Sequence, residues 1–311
     1  MFKSIVALSS GVVAGSAEST SKLHPVREEI VDEIKKLATS WTPREVSDNH
    51  LRHVPVNNIQ MQMGSLGLTQ FGEVTKKAEG FFDYIADTFG FKMASNGSTH
   101  EDKKLKSSSK PAITRESMPI LGGMPPEFDW RVRMPDCIGA IEDQGECGSC
   151  WAFTSSGLLA DRFCIHTDGA IKTRFSPQEM VNCNYENFGC MGGYLMTTID
   201  YLQTEGLVSN ECVPYMGDRG MCTYRCSDDG KSSYDKYYCA VGSLSVLTSY
   251  EQIMMELISN GPLMLGLRIF EDFMNYEHGV YKYTTGDEIG GHAMKLIGYG
   301  YDDLEGLYWV M

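Results

Sequence analysis

The run Gln144-Gly145-Glu146-Cys147-Gly148-Ser149-Cys150-Trp151-Ala152-Phe153 puts a cysteine at the start of an apolar stretch, with an amide side chain six residues upstream. Far downstream, Gly290-Gly291-His292-Ala293-Met294 supplies an imidazole, 142 positions after Cys150. A thiol and an imidazole that distant meet only through the fold, and together they make an activated nucleophile. A free thiol with a pKa near ~8.5 is only slightly ionised at neutral pH. A neighbouring imidazolium and a helix N-terminus both favour the thiolate. Apolar residues recur at helical spacing through Trp151, Phe153, Leu158, Leu159 and Phe163, so Cys150 is expected to open a helix. His292 would then protonate a leaving amine. The Gln144 amide and the Cys150 backbone N–H would hold a developing oxyanion, where losing one donor typically costs about 10²–10³ in rate.

Plainer readings compete. Cys147-x-x-Cys150 alone fits a zinc half-site or a redox pair. A redox pair belongs to a βαβ context that the flanking sequence lacks, and a zinc site needs a second matching pair. Cys222 and Cys226 are spaced as one. Three histidines follow Cys150. His166 ends the same helical stretch behind Cys164, and His278 sits in a polar turn, Tyr276-Glu277-His278-Gly279. Only His292 follows glycines that let a substrate backbone approach.

The elements that must position these groups lie on both sides of Cys150. From about Pro125 to Met311 the chain resembles the papain-like cysteine peptidases, and within them the cathepsin B branch. Several stretches carry the resemblance: Pro126-Glu127-Phe128-Asp129-Trp130-Arg131, Asp161-Arg162-Phe163-Cys164-Ile165-His166-Thr167, Gly189-Cys190-Met191-Gly192-Gly193-Tyr194, Gly261-Pro262 and Gly279-Val280-Tyr281. The resemblance implies an α+β, two-domain fold with a helical left domain after Cys150 and an antiparallel, β-barrel-like right domain from about Tyr238. The active site would lie in the cleft between them. It assigns Gly148, Gly192, Gly193, Tyr194, Leu195, Gly266, Gly291 and Ala293 to substrate binding. Gly192 and Gly193 would admit an extended peptide backbone, and Gly266 would leave room for a bulky apolar residue. It also implies the disulfides Cys137–Cys164, Cys147–Cys190, Cys183–Cys222 and Cys212–Cys226, leaving Cys150 free to react and Cys239 unassigned. Several bridges imply an oxidising compartment. No metal or cofactor is expected.

The N-terminal third reads as a removable leader. Lys3 followed by Ile5-Val6-Ala7-Leu8 and small residues to Ala17 fits a secretory signal over residues 1–17. Residues 18–118 are expected to be a propeptide. Val26, Ile30, Ile34 and Leu37 recur at helical spacing behind Pro25, which suits a helix start. The stretch His24 to Trp41 resembles the short cathepsin B propeptide. Residues 50–68, with Met61, Met63 and Leu66-Gly67-Leu68, are expected to lie in the cleft in a non-cleavable direction. A second helical candidate covers residues 71–93. Residues 95–117, rich in Ser, Lys, Asn and Gly, read as a flexible linker with one sequon at Asn96-Gly97-Ser98. Maturation is expected between Ser107 and Met124.

Charge divides the chain in the same place. Residues 1–118 carry 15 Lys+Arg against 14 Asp+Glu, and residues 119–311 carry 12 against 27. An acidic domain disfavours nucleic acid and anionic membranes as partners. The basic clusters Lys35-Lys36 and Lys76-Lys77 offer a way for the leader to dock on it. No apolar run reaches the 18 residues a membrane span requires. The expected partners are protein and peptide substrates and the chain's own propeptide as inhibitor, with the protein a monomer. The expected location is the secretory pathway, ending in a lysosome, an acidic digestive vacuole or the exterior.

Two departures from the family bear on activity. Cys212 to Cys222 is short and holds no histidine, whereas the carboxy-dipeptidase action of cathepsin B depends on an inserted loop with paired histidines. Endopeptidase action without that exopeptidase activity is therefore expected. Tyr308-Trp309-Val310-Met311 resembles the strand that leads to the asparagine orienting the histidine, which would come about two residues later, so the peptidase domain reads as lacking its C-terminal part. The rival readings are a catalytically silent secreted binding protein of the same fold and a disulfide-rich storage protein. The storage reading has no use for Gln144 or a helix-start cysteine.

Overall fold

The computed structural model describes residues 5–7, 23–37, 40–65, 124–227, 232–303 and 305–311. The helical candidate at 71–93, the linker at 95–117 with its sequon, the cluster Lys76-Lys77, nearly all of the maturation region and most of residues 1–17 lie outside them.

In the leader, helix α1 (Glu28–Lys36) buries Ile30, Val31 and Ile34 on one face. Glu28 and Glu29 in its first turn and Lys35 and Lys36 in its last complement the helix dipole. The helix begins three residues after Pro25, not at it. His24 bridges the Val26 N–H at 3.1 Å and the Val54 carbonyl at 2.9 Å, holding this stretch in a turn. Leu37, expected on the apolar face, is exposed. Strand β2 (Trp41–Pro43) pairs antiparallel with β6 (Tyr276–Gly279) of the catalytic part. Trp41 packs with Ile30, Ile34, Tyr276 and Tyr281 and donates its indole N–H to the Lys282 carbonyl at 3.0 Å. A short helix α2 (Val56–Met61) then leads into the cleft.

One lobe is helical. Helix α4 (Cys150–His166) packs on α5 (Pro177–Cys183) and α6 (Leu195–Thr204) around the fully buried Trp151, Leu158, Met180, Ile199 and Leu202. Ser176 caps α5 by accepting from the Glu179 N–H, with Pro177 in its first turn. Glu179 is itself buried but fully engaged, accepting from the Val208 N–H at 2.8 Å, the Tyr234 hydroxyl at 2.9 Å and the Lys236 ammonium.

The other lobe is mostly sheet, so the expected α+β arrangement is the observed one. Strands β5 (Leu263–Phe270) and β7 (Glu288–Leu296) pair antiparallel with Gly266 opposite Ala293 and Leu267 opposite His292. Helix α7 (Tyr250–Asn260) covers them with Ile253, Met254 and Leu257. Strands β3 (Phe128–Asp129), β8 (Gly298–Asp302) and β9 (Gly306–Val310) form a second antiparallel sheet, and Trp130 of α3 (Trp130–Arg133) fills the space between. The antiparallel expectation fails at one point. Strand β1 (Ile5–Ala7), from the segment read as a signal, runs parallel between β4 (Ser245–Leu247) and β5. Three residues of β-branched and small apolar type suit a central strand, whatever their later fate.

Four disulfides join Cys137–Cys164, Cys147–Cys190, Cys183–Cys222 and Cys212–Cys226, the pairing expected from the resemblance; Cys150 and Cys239 are buried and outside these disulfides. Cys147, Cys222 and Cys226 are thus engaged, which removes the zinc and redox readings of those spacings.

Asp161 of α4 ties the lobes together. It is fully buried and accepts from Arg174 at 2.6 Å, from the Gly139 N–H at 3.2 Å and from the Lys295 ammonium of β7. Removing one partner of a buried pair strands the other charge, at about 3–5 kcal/mol. Asp161→Asn is therefore expected to lower unfolding stability by about 3 kcal/mol. Thermal unfolding checks this; an unchanged midpoint contradicts it.

Candidate active site

Cys150 opens α4 because the apolar periodicity begins there, so its sulfur sits at the positive end of the helix dipole. The Ala293 N–H of β7 donates to Cys150 Sγ at 3.4 Å. The fold therefore brings the thiol to the strand that carries His292. Gln144 reaches the same place from the preceding loop. Its side-chain amide donates one hydrogen to the Cys147 carbonyl and the other to the Gln62 carbonyl of the leader, both at 2.9 Å. The first bond aims the second, so the Gln62 carbonyl oxygen sits on a donor held in place by the loop.

The leader crosses the cleft as Gln62-Met63-Gly64-Ser65. Gly64 O accepts from the Gly193 N–H at 2.8 Å, and the Ser65 N–H donates to Gly291 O at 3.0 Å. Ser65 pairs with Gly193 in parallel sense. The approach is too close for side chains. A Cβ on Gly64 would stand 1.9 Å from Gly148 O, and one on Gly193 would stand 2.6 Å from the Trp151 ring. Gly192, at φ +111°, turns the chain into this position. Met63 packs against Gly290 and joins Ile59, Ile269 and Ile289 in a small cluster. Asn58 of α2 donates to Glu146 at 2.7 Å.

Of the residues assigned to substrate binding, Gly148, Gly193, Gly291 and Ala293 touch the leader or Cys150. Leu195 buries in the same cluster as Cys150 and Ala293, and Gly266 lies opposite Ala293 across the sheet. Tyr194 is part-exposed, its ring beside Phe188. Met61, expected in the cleft, ends α2 with its side chain half exposed, and Leu66-Gly67-Leu68 lie outside the described residues. His166 bonds the Asn260 carbonyl at 2.9 Å and His278 is on an exposed strand, both away from Cys150.

Sequence reasoning missed three features: helix α2, the Asn58–Glu146 contact and the main leader anchor. That anchor is Arg27, whose guanidinium meets Glu271 with two bonds of 2.9 Å. Lys35, assigned a docking role on charge, turns to Glu45 within the leader. Gly64, not singled out in the sequence reading, was the signal that could have marked the close approach.

With the leader in place the thiol and imidazole are both electrically quiet. Burial pushes the Cys150 thiol up to about 11, against the opposing donors Ala293 and Gly64. Burial also lowers the His292 imidazole, partly offset by the Gln62 carbonyl. His292 Nδ1 is buried with no hydrogen-bond partner among the described residues. The thiolate–imidazolium pair expected from sequence is thus disfavoured in this state, because burial desolvates both groups. A raised acid pKa means less thiolate at any given pH below it. Alkylation of Cys150 in the leader-bound protein is therefore expected to keep accelerating with pH up to about 11. Removing the leader should shift that inflection down and raise the neutral-pH rate by about 100-fold or more, tenfold per pKa unit. A leader-bound rate already level below about pH 9 contradicts this.

Comparison with known proteins gives one consistent result. The family model described as "Papain family cysteine protease" matches residues 124–311. Cathepsin B-like CP3 of Giardia intestinalis is 38% identical over 191 residues, covering 60% of this chain and 63% of that protein, so the match spans a little under two thirds of that relative. Cathepsin B of Dictyostelium discoideum is 33% identical over 212 residues, covering 63% of this chain and 68% of its own length. The fold resembles proCathepsin B S9 from Trypanosoma congolense with a TM-score of 0.67 at 23% identity, over 92% of this chain and 87% of that one.

Proposed function

Because the chain belongs to the papain family of cysteine proteases, in its cathepsin B-like branch, we propose that it is a cysteine endopeptidase made as a zymogen. Once the leader leaves, Cys150 Sγ attacks the substrate carbonyl as a thiolate and forms a C–S bond. The carbonyl oxygen takes the charge and is held by the Gln144 amide and the Cys150 N–H. His292 protonates the leaving amine, the C–N bond breaks, and water deprotonated by His292 later releases the acyl group. The observation that carries this reading is the leader's own backbone. It lies across Cys150 with Gln62 C=O on the Gln144 amide, bonded to Gly193 and Gly291 as an extended peptide. Its parallel pairing with Gly193 supports the reading that it lies reversed relative to a productive substrate, with no scissile bond aligned for attack. Four disulfides support a secretory route to a lysosome, an acidic vacuole or the exterior.

The segment from Cys212 to Cys222 has no histidine to hold a substrate C-terminus, which supports internal cleavage. An internally quenched peptide and a peptide scored for C-terminal dipeptide release separate the two activities. Cleavage of the first with none of the second is expected; dominant dipeptide release overturns the endopeptidase reading. A silent binding protein of the same fold is favoured by one observation, the buried His292 Nδ1 with no hydrogen-bond partner among the described residues. No hydrolysis of either peptide after leader removal would establish it.

A further inference from the structure

We propose that Tyr215 is a positioning residue that fixes the two oxyanion donors relative to each other. This rests on the peptidase reading above. The Tyr215 hydroxyl donates to the Gln144 main-chain carbonyl at 2.8 Å and lies 2.6 Å from Ser149 Oγ. The phenol has one proton, and it is committed to Gln144, so Ser149 is the donor in the second bond. One hydroxyl therefore ties the residue that carries the side-chain donor to the residue just before Cys150, which carries the backbone donor.

Among the described residues the Cys147 carbonyl makes the other such bridge, from inside the loop. The Gln144 amide bonds Cys147 O, and Ser149 N bonds Cys147 O, so those contacts stay within one short loop. Tyr215 comes from a different segment and closes the loop from outside. It is itself held firmly. Its ring meets Phe153 of α4 edge-on at 4.5 Å, and the next residue, Met216, donates its N–H to Gln178 at 2.7 Å. Disulfides from Cys212 and Cys222 flank the segment. Burial raises the Tyr215 phenol, keeping it a protonated donor across the working range. A donor array aimed before the charge develops needs no reorganisation when it does, and that is the value of fixing it.

The test is Tyr215→Phe in the full-length protein after leader removal, with Ser149→Ala as a second variant. Two reactions are compared. Peptide hydrolysis passes through an oxyanion; alkylation of Cys150 by iodoacetamide displaces iodide and does not. Losing one buried orienting bond should lower kcat for hydrolysis about tenfold, with KM and the alkylation rate unchanged within about twofold. Ser149→Ala should lower kcat less, and the double variant should lose less than the product of the two. A general structural role would lower hydrolysis and alkylation together, and that outcome overturns the proposal. So does an undiminished kcat. If Tyr215→Phe does not fold, Ser149→Ala decides by the same comparison. A wild-type protein that hydrolyses no peptide overturns the peptidase reading and this inference with it. An active wild type with an unimpaired Tyr215→Phe overturns the inference alone.

Discussion

Cys150→Ala is expected to lower kcat for peptide hydrolysis by about 10⁵-fold or more while leaving the unfolding midpoint nearly unchanged. The size follows from the roles. Without Sγ there is no atom to form the acyl bond, and what remains is binding plus the Gln144 and backbone donors. Such residual machinery typically retains only about 10³–10⁴ over the uncatalysed rate. The fold should tolerate the change because the side chain makes no disulfide and its polar contacts are weak, the Ala293 N–H standing 3.4 Å from the sulfur. Losing a small buried thiol costs a fraction of what a lost leucine does. Steady-state kinetics with a fluorogenic peptide, beside a thermal melt, check both halves. A loss below about tenfold would mean that Cys150 is not the nucleophile.

The second large effect is on inhibition. Arg27→Ala is expected to weaken binding of the free leader, residues 23–65, to the mature enzyme by about 100-fold. Glu271 is 1% exposed and Arg27 22%. The carboxylate also accepts from the Asp287 N–H at 3.2 Å. In the docked leader an alanine leaves that carboxylate covered and without its guanidinium, at a cost of about 3 kcal/mol toward the lower end for a buried pair. Lys35→Ala is the control. Its pair with Glu45 is exposed and lies within the leader, so inhibition should change less than about threefold. Inhibition constants for the three peptides decide; equal potency of the wild-type and Arg27→Ala leaders contradicts the anchor.

These effects also mark the limit of what was legible beforehand. Cys150, Gln144 and the helix they precede could be read because their chemistry is local: an apolar periodicity, a helix start and an amide six residues away. Helix α1 was legible from its apolar face, yet its first turn was misplaced because His24 holds residues 24–26 in a turn, a contact no periodicity encodes. The Arg27 contact of the leader went unread for the same reason. Arg27 and Glu271 lie 244 positions apart, and a pair made only by tertiary packing leaves no spacing signal. Charge counting pointed to Lys35 because it sees composition but not burial. The ionisation of the Cys150 thiol in the leader-bound state was not legible either. The helix dipole and the imidazole favour thiolate, but in this state the thiol is buried, and desolvation outweighs the donors around it. The parallel insertion of Ile5–Ala7 into the sheet had no antecedent in the residue pattern, which is equally that of a secretory signal.

The central claim is that one thiol, silenced by the protein's own leader, does the chemistry. An epoxide-type thiol inhibitor applied before and after leader removal, with intact-mass readout and peptide mapping, tests it most directly. A single adduct on Cys150 is expected, formed rapidly only after removal and absent from Cys150→Ala, while the buried Cys239 stays unlabelled. Equal labelling in both states contradicts the silencing, and an adduct on Cys239 in place of Cys150 contradicts the assignment of the nucleophile.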